Sequence, residues 1–188
     1  MITFRVNGTD IRIEFSFLAV WALLLSIRDS GGLEYSLYAV LVHETAHILV
    51  MAAFHIGLRE ITFHGCGIRI RPQTTLASYS RELAVLMAGP LANITMWLIL
   101  HAAGAEQAAG AQLILGVFNL LPCSRLDGGA VLSCILAASG LAHCGAERIL
   151  RFTAVITVLA AAAAGLMLGV KNFTYYALLL YLFFSEIF

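Results

Sequence analysis

The stretch LVHETAHILV, Leu41 to Val50, sets two histidines and a glutamate into apolar sequence. His43, Glu44 and His47 spell H-E-x-x-H. On a helix, residues four apart lie about 40° apart around the axis, so both imidazoles can reach one metal ion. Glu44 then stands beside that ion, where a carboxylate can take a proton from the attacking water. Zinc suits this set, because it binds imidazole and lowers the pKa of a bound water to about 7.

A catalytic zinc takes three protein ligands and leaves a fourth position open. The chain has three aspartates. Asp10 and Asp29 lie outside the apolar segments, whereas Asp127 lies inside one, in FNLLPCSRLDGGAVL. Asp127 is therefore the best third ligand. Its other reading is a cap for the helix that follows, and the two roles are compatible. Gly128 and Gly129 allow close backbone approach or an unusual turn beside it.

H-E-x-x-H by itself occurs by chance in many soluble proteins, so its setting decides its weight. Of the 188 residues, 61% are hydrophobic and only 12% charged. Mean hydropathy is +0.90. Such values belong to membrane proteins. Three ionisable residues in one membrane segment are costly and mark function by default. The competing reading is a polar helix–helix interface. A net charge of zero excludes a global basic field for nucleic acid.

Cys66, Cys123, Cys134 and Cys144 form no Cys-x-x-Cys pair and read as reduced, buried thiols. The opening MITFRVNGTDIRIEF lacks the early apolar core of a signal peptide. Asn7-Gly8 signals a tight turn, and the alternation around it sets Phe4 against Ile11, Ile2 against Ile13 and Arg5 against Asp10. A second hairpin is expected in LREITFHGCGIRIRP, where Ile61 and Phe63, then Ile68 and Ile70, alternate with polar neighbours.

Six apolar segments are expected to cross the membrane, at roughly 15–27, 33–56, 82–103, 110–138, 152–169 and 173–188. The fourth is too long for one straight crossing and contains Pro122, so it reads as a broken span. The expected fold is an all-α polytopic membrane protein with two short β-hairpins. Residues 1–188 form one membrane-embedded unit, with 1–14 an N-terminal hairpin and 33–138 the catalytic core. Alternating six spans gathers Arg5, Arg12, Arg59, Arg69, Arg71, Arg81, Arg148 and Arg151 on one side, against Arg28 and Lys171 on the other. That bias places both termini in the cytosol.

His43-Glu44-x-x-His47, then AGPLAN (Ala88–Asn93), then Asn119-x-x-Pro122-x-x-x-Leu126-Asp127-Gly128 resemble the site-2 protease family of intramembrane zinc metalloproteases, in order and in spacing. The stretches RELAVLMAGPLAN and NLLP…LDGG resemble its bacterial sporulation branch, typified by stage IV sporulation protein FB. The resemblance implies that zinc is held by the two histidines and the aspartate, with the glutamate as base and acid. It implies regulated cleavage of a membrane-associated protein such as a tethered pro-sigma factor, and inhibitory membrane partner proteins. Members of that branch commonly carry a cytosolic CBS nucleotide-sensing domain after the last span, and none is expected within residues 1–188. TFHGCG stands where they have a Pro-Phe-Gly-Gly-like stretch.

Asn93 and Asn119 are amides in apolar spans. Each reads either as a helix–helix hydrogen bond or as a contact to substrate or oxyanion. The resemblance favours Asn119 as the one working near zinc. Ile61, Phe63, Ile68 and Ile70 mark a hairpin edge on which an extended substrate could pair, or an interfacial anchor. His55, His64, His101 and His143 read as interfacial histidines, and Cys123 as packing. Two other classes remain open. A small transporter also uses broken helices and midplane polar groups. A catalytically inactive scaffold would have no need of Glu44.

Overall fold

The helix that carries His43 and His47 is inside out. Its buried stripe is Ala39, His43, His47 and Met51, each one turn from the next, while Leu37, Leu41 and Leu49 are exposed. In water this arrangement would cost both the buried polar groups and the bare leucines. In a bilayer the leucines face lipid and only the polar groups need partners inside.

A computed structural model describes residues 1–6, 8–15, 32–64, 67–72, 78–140, 143–171 and 173–187. The order is β1 (Ile2–Val6), β2 (Thr9–Ile13), α1 (Leu33–Ala53), β3 (Leu58–His64), β4 (Gly67–Pro72), α2 (Tyr79–Ala102), α3 (Glu106–Asn119), α4 (Asp127–Ala138), α5 (His143–Met167) and α6 (Phe173–Ile187). Among the described residues, three helices are long and apolar enough to cross a membrane: Leu33–Ala53, Tyr79–Ala102 and Gly145–Met167. The shorter apolar helices are Asp127–Ala138 and Tyr175–Glu186. The expected first span, 15–27, lies outside the described residues apart from Phe15.

The expected broken span at 110–138 is two separate helices. α3 begins at Glu106 and ends at Asn119, α4 begins at Asp127, and Pro122 lies between them. At 1.5 Å per residue, 14 and 12 residues reach about 21 and 18 Å, so neither crosses a core about 30 Å thick alone.

The two expected hairpins are one sheet, ordered β1-β2-β3-β4. The N-terminal register is as read from alternation: Ile2 opposite Ile13, Phe4 opposite Ile11, Arg5 opposite Asp10. Gly8 takes φ +84 in the turn, a conformation that suits glycine. Arg5 Nε donates to Asp10 Oδ1 at 2.6 Å, which holds the Asp10 carboxyl below its usual range. The hairpins join through a parallel β2–β3 pair, Asp10 to Glu60 through Ile13 to Phe63. β3 is therefore interior, with Ile61 and Phe63 set opposite Ile70 and Ile68 on β4. The expected substrate edge is corrected accordingly: β3 has neighbours on both sides, and β4 alone of the second hairpin lies at an edge.

α1, α2 and α3 pack through small and polar residues. α2 buries Val85, Gly89, Pro90 and Asn93, and α3 buries Ala108, Ala109, Gln112 and Gly116. A Cβ on Gly116 would press on Asn93 Cβ at 3.1 Å and on the Pro90 carbonyl oxygen at 3.3 Å. Close backbone approach of this kind holds helices together where lipid offers no hydrophobic drive. A second cluster of Cys123, Ala154, Val158, Leu179 and Leu182 ties the 120–126 loop to α5 and α6. Cys123 and Cys134 are free and buried, as expected of packing thiols.

α1 stops in a Schellman arrangement. Ile56 N–H donates to Met51 O, His55 N–H donates to Ala52 O, and His55 takes φ +58. A branched-free but non-glycine residue in the left-handed region costs about 1–2 kcal/mol. His55→Gly should therefore raise the thermal midpoint of the detergent-purified protein. A lower midpoint would show that the imidazole contributes more than its backbone costs.

Candidate metal centre

α1 brings His43 and His47 to one face, and the first residue of α4 meets them. His43 Nε2 lies 2.9 Å from Asp127 Oδ2, His47 Nε2 lies 3.2 Å from the same oxygen, and the two Nε2 atoms are 3.1 Å apart. These three residues alone form a metal-capable group among the described residues, their ligand atoms all within 4.8 Å of one another. Both histidines are buried.

Their outer hydrogen bonds assign the tautomers. His47 Nδ1 lies 2.7 Å from the Val85 carbonyl oxygen, which can only accept, so Nδ1 carries the hydrogen. His43 Nδ1 lies 2.7 Å from Asn93 Oδ1. That amide is oriented in turn, because Asn93 Nδ2 donates to Ala39 O at 3.0 Å and to Gln112 Oε1. In the neutral rings both Nε2 atoms are then lone pairs, aimed at each other and at a carboxylate oxygen. One proton satisfies at most part of this set, whereas a cation among the three satisfies all of it. Nitrogen, nitrogen and oxygen are zinc donors, and tetrahedral bonds of about 2.0–2.1 Å separate ligands by roughly 3.3 Å, close to the spacing here. The residues present fit the ion.

Glycines make the room. A Cβ on Gly89 would collide with His47 Nε2 and with His43 Cε1 and Nε2, so α2 forms the wall of the centre as bare backbone. A Cβ on Gly128 would collide with the carbonyls of Leu120 and Leu121, and one on Gly129 with the Cys123 carbonyl. Gly128-Gly129 thus lets the start of α4 nest on the 120–124 backbone, which delivers Asp127. The N-cap of α4 is Leu126, so the capping role read for Asp127 gives way to contact with the histidines. Glu186, buried on α6, accepts from Ser124 N and Ser124 Oγ, both at 2.8 Å, and ties the same loop to the far helix.

Glu44 follows His43 directly and is half-buried. Asn119 donates through Nδ2 to Leu115 O, one turn back in its own helix. His55 and His101 are exposed and remote in their bonding: His55 pairs with Ala53 O, and His101 with Glu106 while stacking on Trp97. The side chains of His64, Ile68, Ile70 and His143 lie outside the described residues. Gly89, Gln112 and Glu186 were not singled out from sequence. A lone amide in apolar sequence was the available signal for Gln112, and a lone acid in YLFFSEIF for Glu186.

No protein-family model matches the chain, and no curated protein matches it. Among solved structures it is similar to the Site-2 Protease from Methanocaldococcus jannaschii, with a TM-score of 0.71 and 20% identity over 98% of this chain and 93% of that one. At that identity the likeness establishes the fold.

Gly89→Ala tests the wall. It should lower bound zinc several-fold while leaving the protein folded, because helix propensity favours alanine and only the imidazoles are displaced. Elemental analysis beside a thermal melt checks it, and full zinc retention in Gly89→Ala would show that the histidines have another way to seat.

Proposed function

We propose that this protein is an intramembrane zinc endopeptidase acting on a membrane-associated protein substrate. The observation that carries the reading is the convergence of His43 Nε2, His47 Nε2 and Asp127 Oδ2 with both tautomers fixed, on the buried face of an apolar helix. Zinc held by these residues supplies Lewis acidity and an acidified water. Glu44 accepts the proton of the attacking water as its oxygen adds to the scissile carbonyl carbon. It returns that proton to the amide nitrogen as the C–N bond breaks. Asn93 spends its oxygen on His43 and its amine on Ala39 and Gln112, so Asn119 is the amide left to meet substrate or oxyanion.

His43 lies ten residues after Leu33, about 15 Å along α1 and near the middle of a bilayer core. His47 is a turn nearer the end from which β3 departs. The β2–β3 pairing supports one side for the N-terminal strands and for the segment after α1, and the arginine bias makes that side the cytosol. Water then enters from the cytosol. Substrate is captured as an added strand on β4, since a helical peptide bond is shielded by its own hydrogen bonds. By family resemblance, a tethered pro-sigma factor and inhibitory membrane partners are the expected companions.

Co-expression with candidate membrane-tethered substrates tests the chemistry. Glu44→Gln should cut cleavage by about 10²-fold or more while keeping about one zinc per chain. His43→Ala with His47→Ala should lose both zinc and cleavage, and zinc retention in that double variant would refute the ligand set. For sidedness, cysteine at Glu44, the residue beside His43, in a Cys-free background should react with a cytosolic thiol reagent; labelling only from outside inverts the topology. For capture, proline at Ile68 or Ile70 should depress turnover with zinc content unchanged. Cleavage at the original rate would make the hairpin an anchor.

A further inference from the structure

Gln112 sits in the middle of α3, on the face against α1 and α2, and is fully buried. Its neighbours on that face are Ala108, Ala109 and Gly116, which ask only for close packing. An amide there needs a reason. Its oxygen accepts from Asn93 Nδ2, and its own Nε2 has no partner among the described residues. Turning the Gln112 amide over would set two NH2 groups face to face, so the observed orientation leaves one donor stranded to keep the oxygen on Asn93.

We propose that Gln112 is a positioning residue of the metal centre: its side-chain oxygen locks the Asn93 amide and, through it, the tautomer and direction of His43. The inference rests on the zinc reading above and deepens it. Asn93 has two amine hydrogens and two acceptors for them, Ala39 O and Gln112 Oε1. Ala39 is four residues before His43, so its carbonyl already serves α1's own ladder. Gln112 is the acceptor with no other duty. With it in place, a flipped Asn93 would set its oxygen against two oxygens and its amine against the N–H of His43. With an apolar side chain instead, one Asn93 hydrogen is stranded and the opposition to flipping is halved. His43 then loses the acceptor that keeps its hydrogen on Nδ1 and its lone pair on Nε2. Outer partners of metal-bound imidazoles act in this way, by fixing ring orientation and tautomer.

A packing role and a positioning role separate under two substitutions. Gln112→Met keeps length and bulk and removes the oxygen. Gln112→Glu keeps an oxygen toward Asn93 and removes the stranded donor. Each full-length protein is purified in detergent and loaded with zinc or with cobalt(II). Chelator competition gives affinity, and the visible cobalt bands report ligand geometry. Gln112→Met should weaken zinc about 10–100-fold and shift the cobalt bands, while Gln112→Glu stays within about threefold of wild type. Gln112→Met within threefold with unchanged bands would overturn the proposal, as would an equal loss in Gln112→Glu. If Gln112→Met does not fold, Gln112→Leu, which also removes the oxygen, takes its place: a loss of about tenfold or more with shifted bands supports the role, and affinity within about threefold with unchanged bands overturns it. The wild-type arm keeps the two readings apart. A wild-type chain that holds no metal refutes the zinc centre itself, whereas equal binding by wild type and Gln112→Met refutes only the part given to Gln112.

Discussion

Three hydrogen-bond acceptors aimed at one point inside an apolar bundle repel one another, and that repulsion organises this molecule. A cation among them relieves it most fully, and the protein must also keep the acceptors from turning away. Val85 O and Asn93 do this from α2, each by taking the hydrogen of the imidazole nitrogen that faces away. The glycines follow from the same constraint. Gly89 lets α2 come close enough to offer those acceptors, and Gly128-Gly129 lets Asp127 arrive from a different segment of chain. α5 and α6 stand farther off, yet the buried Cys123 cluster and the Glu186–Ser124 bonds seat the loop from which α4 begins.

The division of labour among the elements is correspondingly sharp. α1 supplies His43, Glu44 and His47 from a continuous helix, where spacing is guaranteed by the backbone. Asp127 comes from a helix start, where the chain can change direction. A continuous helix through 110–138 would carry Asp127 at a fixed angle to Asn119. The seven residues from 120 to 126 free the two ends from each other, and short backbone bonds such as Cys123 N to Leu121 O and Leu126 N to Cys123 O hold the intervening turn. Irregular backbone there is held through the buried Cys123 and the Glu186–Ser124 bonds.

What could be read in advance divides along the same line. His43 and His47 were legible because helical spacing is local, and Asp127 because so few carboxylates share the apolar sequence. The strand register from Ile2 to Ile13 was legible from alternation and a turn dipeptide. The parallel β2–β3 contact was not, since α1 lies between the two strands and no local pattern encodes their meeting. The break was signalled by Pro122, but its bounds depend on how Gly128 and Gly129 nest. Gly89 could not be assigned, because a glycine in an apolar helix shows its purpose only against its neighbours. The left-handed position that ends α1 falls on His55, a residue type that gives no such signal.

The parallel strand pair carries a consequence for the order in which the chain assembles. Either hairpin can close on its own, over a few residues. Their union encloses the whole of α1, so its loop-closure entropy is offset only once that helix is seated. The four-stranded sheet therefore completes late, after the helix bearing both histidines has found its place. Protection of the β2–β3 amides from hydrogen exchange is then a clock for the seating of α1 among its neighbouring helices.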